Sequence, residues 1–251
     1  QEVLDTTVQA FKLAEAVDLP VMIVLDAFYL SHTSEPVDIP EPAAVDAFLP
    51  QREARLKLDV NEPRAFGALT RPDVYMEMRL RQQEAMDDAR AAFDAIDEDW
   101  GRRFGRRWGA IESYRIEDAE TVLVTSGTIT STARYVVDER RALGGRIGLV
   151  KVKMFRPFPS LGLRQALAGV PRVVVLDRNI SPGHSGIFAE EIRAALYDLP
   201  ASRRPRIEGC IVGLGGRDVT PAVIDQCIDR PDPALAAAAE AREDLWVGVK
   251  P

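Results

Sequence analysis

Thr121-Val122-Leu123-Val124-Thr125-Ser126-Gly127-Thr128 opens the most regular pattern in the chain, and its reading decides the fold. A short apolar run ends in a glycine turn, and apolar positions then recur at helical spacing (Ile129, Ala133, Val136, Val137). The unit repeats along the chain. Ile147–Val152 precedes a helix at Leu161–Leu167, and Arg172–Asp177 precedes one whose face holds Phe188, Ile192, Ala195, Leu196 and Leu199. Ile207–Val212 precedes a closing helix at Val219–Ile228. Unbroken apolar strands of this kind are buried on both faces. Strands alternating with helices call for a parallel sheet between two helical layers, joined by right-handed crossovers. The fold class is therefore α/β, with residues 110–230 forming one open parallel-sheet domain. The turns after its strands gather along a single rim.

N-terminal to this domain the pattern changes. Residues 2–17 read as an amphipathic helix, beginning so early that the chain starts inside it, and Val21–Asp26 reads as a buried strand. Together they look like the last piece of another α/β layer, assigned to residues 1–50. Pro36, Pro40, Pro42, Pro50 and Pro63 predict an irregular connection with one short helix near Ala43–Phe48. Residues 51–109 are a connector containing a long helix over 73–100, whose stripe of Met86, Ala89, Phe93, Ile96 and Trp100 packs within the chain or on a neighbouring subunit. Residues 231–251 form a tail, with a helix at Ala234–Ala241 and an extended, docked Leu245-Trp246-Val247.

Bulk properties exclude several classes. The 32 basic and 39 acidic residues give a net charge of -7, which repels phosphate backbones and argues against nucleic acid as a partner. Arg102, Arg103, Arg106 and Arg107 follow the acidic stretch Asp94–Asp99, so they read as a salt-bridged face. Cys210 and Cys227 are too few for an iron–sulfur cluster or a structural zinc site, and they suit a cytoplasmic location. No apolar stretch is long enough to span a membrane as a helix.

The unusual residues cluster after the strands, where ligands of parallel sheets bind. Gly127 and Thr128 follow the first strand, and Arg156 the second; Asp177, Arg178 and Asn179 follow the third, and Arg217 and Asp218 the fourth. Hydroxyls there cap helices, and glycines satisfy turns that need positive φ. A phosphate site is disfavoured, because no loop carries a P-loop lysine or a complete GxGxxG. The three arginines read as ion pairs or subunit contacts before substrate ligands. Asp26, Ser31 and His32 follow the first apolar run. The histidine is an acid/base candidate or, more simply, part of a hydrogen-bonded loop. His184, in a Ser-Pro-Gly turn, is expected to face solvent.

In order along the chain, Gln1–Asp5, Asp26–His32, Tyr75-Met76-Glu77-Met78-Arg79, Arg156-Pro157-Phe158-Pro159, Asp177-Arg178-Asn179 and Gly213–Asp218 resemble the α subunit of pyruvate:ferredoxin oxidoreductase and related 2-oxoacid:acceptor oxidoreductases. The resemblance runs to about Arg230. It implies a transketolase C-terminal-like domain, preceded by the end of a thiamine pyrimidine-binding-type domain. The family has glycine where this chain has Ala27, which would strain the loop if that position needs positive φ.

The resemblance further implies an intact complex that oxidatively decarboxylates a 2-oxoacid, pyruvate in the first instance, to acyl-CoA with electrons passed to ferredoxin. Thiamine diphosphate, Mg2+, iron–sulfur clusters and CoA belong to that complex. A thiamine-diphosphate-binding β subunit and γ and ferredoxin-like δ subunits or domains would be the partners. This chain is expected to bind none of the cofactors alone, to contribute no catalytic residue, and to act in structure and assembly. The residues named after the strands would form an interface or an active-site wall. The alternative is a non-catalytic interaction module, or a small-molecule-binding module using the strand-end crevice.

Overall fold

The computed structural model describes residues 1–54, 56–67, 69–229 and 244–250. The chain forms two compact units, one from Gln1–Val24 and Glu35–Trp108, the other from Leu25–Ser34 and Gly109–Pro251.

The first unit is helical, with α1 (Glu2–Val17), α2 (Pro42–Phe48) and α3 (Pro72–Phe104). Proline opens α2 and α3, where its missing N–H costs nothing and its fixed φ favours the helix. Gly105 closes α3 at φ 73, a left-handed conformation that glycine adopts without strain, and its N–H reaches Gly101 O at 2.9 Å. α1 lies along α3, and Ala10, Leu13, Ala89, Phe93, Ile96 and Trp100 are buried. The apolar stripe of α3 thus packs within the chain over its C-terminal half. Phe48 meets Trp100 edge-on with ring centroids 5.0 Å apart, and Phe104 lies 4.1 Å from Trp100.

Buried carboxylates in this unit are fully engaged. Asp5 accepts hydrogen bonds from Arg106 Nε at 2.8 Å, Gln1 Nε2 at 2.8 Å and Trp108 Nε1 at 3.1 Å. Burial alone would push its carboxyl up, but these donors outweigh it and hold the group below the usual carboxylate range. Asp99 pairs with Lys12 and Arg103, each at 3.0 Å, and Arg106 also reaches Asp38. The arginine run is a salt-bridged face, as its mixed charge predicts.

Val21–Leu25 departs from expectation. It is not a buried strand: it pairs with no strand among the described residues, and Met22 and Val24 are 86% and 82% exposed. An unbroken apolar run is buried on both faces only where neighbouring strands take up its backbone hydrogen bonds. The described residues supply none.

The second unit is the sheet domain. Its strands are β1 (Ile111–Tyr114), β2 (Thr121–Thr125), β3 (Ile147–Val152), β4 (Arg172–Asp177), β5 (Arg206–Ile211) and β6 (Asp244–Trp246), in the order β1-β3-β2-β4-β5-β6. β3, β2, β4, β5 and β6 run parallel, while β1 adds antiparallel to the β3 edge. The crossover helices are α4 (Ile129–Ala142), α5 (Ser160–Leu167) and α6 (Ile187–Leu196), and α7 (Pro221–Ile228) follows β5. Residues alternate between two cores, as a period of two dictates. Val122, Val124, Val173 and Val175 face Leu163, Leu167, Ile192 and Leu196. Leu123, Val174, Leu176 and Cys210 share the opposite core with Val136, Val137, Ile224 and Cys227. Both cysteines are therefore buried core residues outside any disulfide.

Two strands escaped the sequence reading. β1 is too short for its alternation to register. β6 matches the extended, docked segment expected at Leu245-Trp246-Val247, but nothing in sequence assigned it to the β5 edge. There Asp244 lies opposite Gly209, where a Cβ would overlap its carboxylate. That space lets Asp244 accept from Gly186 N at 2.7 Å and pair with Arg193 at 3.3 Å. The helix expected at Ala234–Ala241 lies outside the described residues.

Candidate functional site

The order of the central strands creates the crevice of interest. From β2 the chain crosses through α4 to β3 on one side, and from β4 through α6 to β5 on the other. The turns after β2 and β4 therefore diverge, leaving the switch-point crevice where parallel sheets bind ligands. In this chain it is filled by the segment Leu25–Ser34, which belongs to the same compact unit.

Asp26 is the plug. Its Oδ2 accepts the Thr128 backbone N–H at 2.7 Å and the Thr128 hydroxyl, and it pairs with Arg178 Nη1 at 3.1 Å. Arg178 Nη1 also donates to Thr128 Oγ1 at 3.3 Å. Gly127, at φ 74, makes the approach possible, because a Cβ there would sit 2.7 Å from Asp26 Oδ2. A carboxylate at the start of α4 is favoured by the free amides and the helix dipole, the interaction that elsewhere binds external anions. Thr128 thus gives its hydroxyl to Asp26 and makes no side-chain cap to its own helix.

The rest of the segment is a compact hook. Leu30 N reaches Asp26 O at 3.2 Å, and His32 N reaches Phe28 O at 3.2 Å. Tyr29 OH donates to Asp218 Oδ1 at 2.5 Å, and Arg178 lies 5.6 Å from the Tyr29 ring. Phe28 N–H donates to Ser31 Oγ at 3.0 Å, Ser31 Oγ meets His32 Nδ1 at 2.8 Å, and the Phe28 and His32 rings stack at 4.7 Å. The residue with positive φ is Phe28, at 64°, not Ala27. Alanine in place of the family's glycine therefore puts no left-handed strain on position 27.

Asp177 and Asn179 do different work. Asp177 accepts the N–H groups of Phe188 and Ala189, each at 3.0 Å, and Asn179 Oδ1 accepts that of Ile187 at 2.9 Å. The first amides of α6 are thereby satisfied internally. Burial pushes the Asp177 carboxyl up to about 6, against the two amides that lower it, and the nearby Asp244 charge adds to the rise. A carboxyl whose pKa is higher folded than unfolded binds its proton more tightly in the folded state. Stability should therefore increase as pH falls from about 7 toward 4, by up to about 3 kcal/mol at 1.36 kcal/mol per unit. Urea unfolding at pH 7.5, 6 and 5 measures this, and Asp177→Asn should flatten the slope.

The remaining candidates lie apart from Asp26. Arg156 pairs with Glu191 on α6, and Arg217 donates to the Gly248 carbonyl. His184 is exposed, as expected, and meets Glu190 at 2.5 Å. Sequence reasoning missed two participants. Tyr29 lies inside the Asp26–His32 motif with no spacing to mark it, although its phenol is one of the hook's two anchors. Asp244 lay in a tail that offered no pattern to place it.

Two family models match successive parts of the chain: "Pyruvate flavodoxin/ferredoxin oxidoreductase, thiamine diP-bdg" over residues 1–98 and "Pyruvate:ferredoxin oxidoreductase core domain II" over 119–224. The chain belongs to the pyruvate:ferredoxin oxidoreductase α-subunit family. It is 40% identical, over its whole length, to "Pyruvate synthase subunit PorA" of Methanothermobacter thermautotrophicus and to the protein of that name from Thermotoga maritima. It is 41% identical over 88% of its length to "Ketoisovalerate oxidoreductase subunit VorA" of Pyrococcus horikoshii, 56% of which is covered. The chain spans 63% of the length of the two pyruvate synthase relatives.

Among the described residues the donor set of this family member does not fit a diphosphate–metal site. No three His, Cys, Asp or Glu side chains among the described residues are grouped to hold a metal ion. The amides at the starts of α4 and α6 are taken by Asp26, Asp177 and Asn179. No helix among the described residues is long and apolar enough to cross a membrane.

Proposed function

We propose that this chain is the C-terminal portion of the α subunit of a thiamine-diphosphate-dependent 2-oxoacid:ferredoxin oxidoreductase. The complex oxidises pyruvate to acetyl-CoA and carbon dioxide in the cytoplasm and passes the electrons to ferredoxin. The observation that carries this reading is the alignment of the whole chain, at 40% identity, with pyruvate synthase α subunits. The cofactor, when bound, supplies an electron sink for decarboxylation. The Mg2+–diphosphate and the iron–sulfur clusters are assigned to the β and ferredoxin-like δ subunits, with γ completing the complex and CoA as acyl acceptor.

The residues of this chain orient and exclude; they do not carry electrons. The rim of the sheet domain holds the Asp26–His32 hook through Thr128, Arg178 and Asp218, as a wall beside the reaction chamber. A small-molecule module using the switch-point crevice is the poorer reading, because Asp26 already neutralises Arg178 and occupies the Thr128 amide.

Reconstitution tests the proposal. The α subunit that contains this chain, assembled with its β, γ and δ partners, should reduce ferredoxin in a reaction requiring both pyruvate and CoA. The 251-residue chain alone should be inactive and should not bind thiamine diphosphate at micromolar levels by calorimetry. Because pyruvate and ketoisovalerate enzymes both appear among the relatives, 3-methyl-2-oxobutanoate belongs in the same assay. A complex that oxidises neither acid would overturn the proposal.

A further inference from the structure

The turn after β5 ties two distant segments together. Its apex carries Gly215 and Gly216 at φ 66 and 82, and no other described residue comes within 4 Å of where a Cβ would stand on either. Glycines lose more freedom than other residues when fixed, and no packing on these two offsets that cost. Order comes from the next two side chains. Arg217 Nη1 donates to the Gly248 carbonyl, and Asp218 Oδ1 accepts from Tyr29 OH at 2.5 Å. At the other end of the turn Gly213 lies against the second anchor of the hook, since a Cβ there would stand 3.2 Å from Arg178 Nε.

Residues 244–248 lie along the β5 edge as a strap with its own fastenings. Asp244 accepts from Gly186 N at 2.7 Å and pairs with Arg193 at 3.3 Å, and Val247 N donates to Ile211 O at 3.1 Å. Because Arg217 and Asp218 are consecutive, ordering the turn for one contact orders it for the other. A contact that has already removed the turn's freedom lowers the entropic cost of the next, which couples two sites without any change of shape. We infer that residues 244–248 are a strap that fixes the Leu25–Ser34 hook through the turn after β5, with Arg217 and Asp218 as the two ties. The coupling works in both directions: loosening the strap loosens the hook, and loosening the hook loosens the strap. It does not depend on the reaction proposed above.

Amide hydrogen exchange in the full chain reads both ends of the coupling. In the hook, Leu30 N–H is bonded to Asp26 O and His32 N–H to Phe28 O, each at 3.2 Å; in the strap, Val247 N–H is bonded to Ile211 O. Arg217→Met cuts the tie to the strap. It should speed exchange of Leu30 and His32 about tenfold, the effect of losing one hydrogen bond from a charged group, while the β2 amides keep their rates. Asp244→Ala, which loosens the strap from its far end, should act in the same direction and add nothing to Arg217→Met. Tyr29→Phe should in turn speed exchange of Val247. The Tyr29→Phe/Arg217→Met pair should exchange Leu30 and His32 no faster than Tyr29→Phe alone, because the turn then no longer reaches the hook. Hook amides unchanged in Arg217→Met would overturn the strap, as would effects that multiply in the pair. Acceleration that includes β2 to the same degree in every variant would also overturn it, since the residues would then act on the whole domain.

Discussion

Replacing Trp100 by alanine should destabilise the helical unit by about 3–5 kcal/mol, the range for removing a fully buried large aromatic. Trp100 has no exposed surface and is gripped by Phe48 and Phe104, so alanine would leave a cavity facing two rings that are themselves poorly placed to collapse. Phe48 is also fully buried and carries Lys12 4.0 Å above its ring, so its movement would disturb the Lys12–Asp99 pair as well. Trp100→Phe should cost much less. Trp100 Nε1 is buried and finds no acceptor among the described residues, so phenylalanine removes an unsatisfied donor along with the volume. Urea unfolding followed by the far-ultraviolet signal measures both variants. Equal losses for alanine and phenylalanine would show that the indole is not acting through packing.

Arg172→Met should cost the sheet domain about 3–5 kcal/mol, because it leaves a carboxylate buried beside fewer donors. Glu208 is 4% exposed. Arg172 holds it with two bonds, Nε to Oε1 at 3.1 Å and Nη2 to Oε2 at 2.8 Å, and spans to the Ile228 carbonyl at 2.7 Å. Arg206 also pairs with Glu208, which places the expected loss at the lower end of the range. Adding Glu208→Leu should restore much of the stability, since no charge then remains buried and Arg206 can turn to water. A double variant less stable than Arg172→Met alone would show that the pair contributes more than the relief of a buried charge.

Much of the sheet domain was legible because its physics is local. Each of the strands β2 to β5 is a run that suits burial on both faces, and each following helix shows a stripe at period 3.6. That alternation admits few arrangements once connections are short and right-handed. The order of the central strands, and so the position of the crevice, followed from where the crossovers went. β1 was not legible, because a four-residue edge strand makes only one row of bonds and shows no strong apolar pattern. Val21–Leu25 was misread for the opposite reason: its pattern is strong, but pairing partners are a property of the assembled sheet.

The candidate site divides in the same way. That Thr128, Arg178 and Asp218 stand along one rim follows from the alternation of strand and helix in the amino-acid sequence. That Asp26, 102 residues before Thr128, closes the crevice between them does not. Nor does the pairing of Tyr29 with Asp218, 189 residues apart, or the reach of Asp244 across Gly209. Periodicity reports which side of an element meets apolar surroundings, because that is repeated every few residues. A single carboxylate meeting a single guanidinium repeats nothing, so only the packed chain could decide which partner each one found.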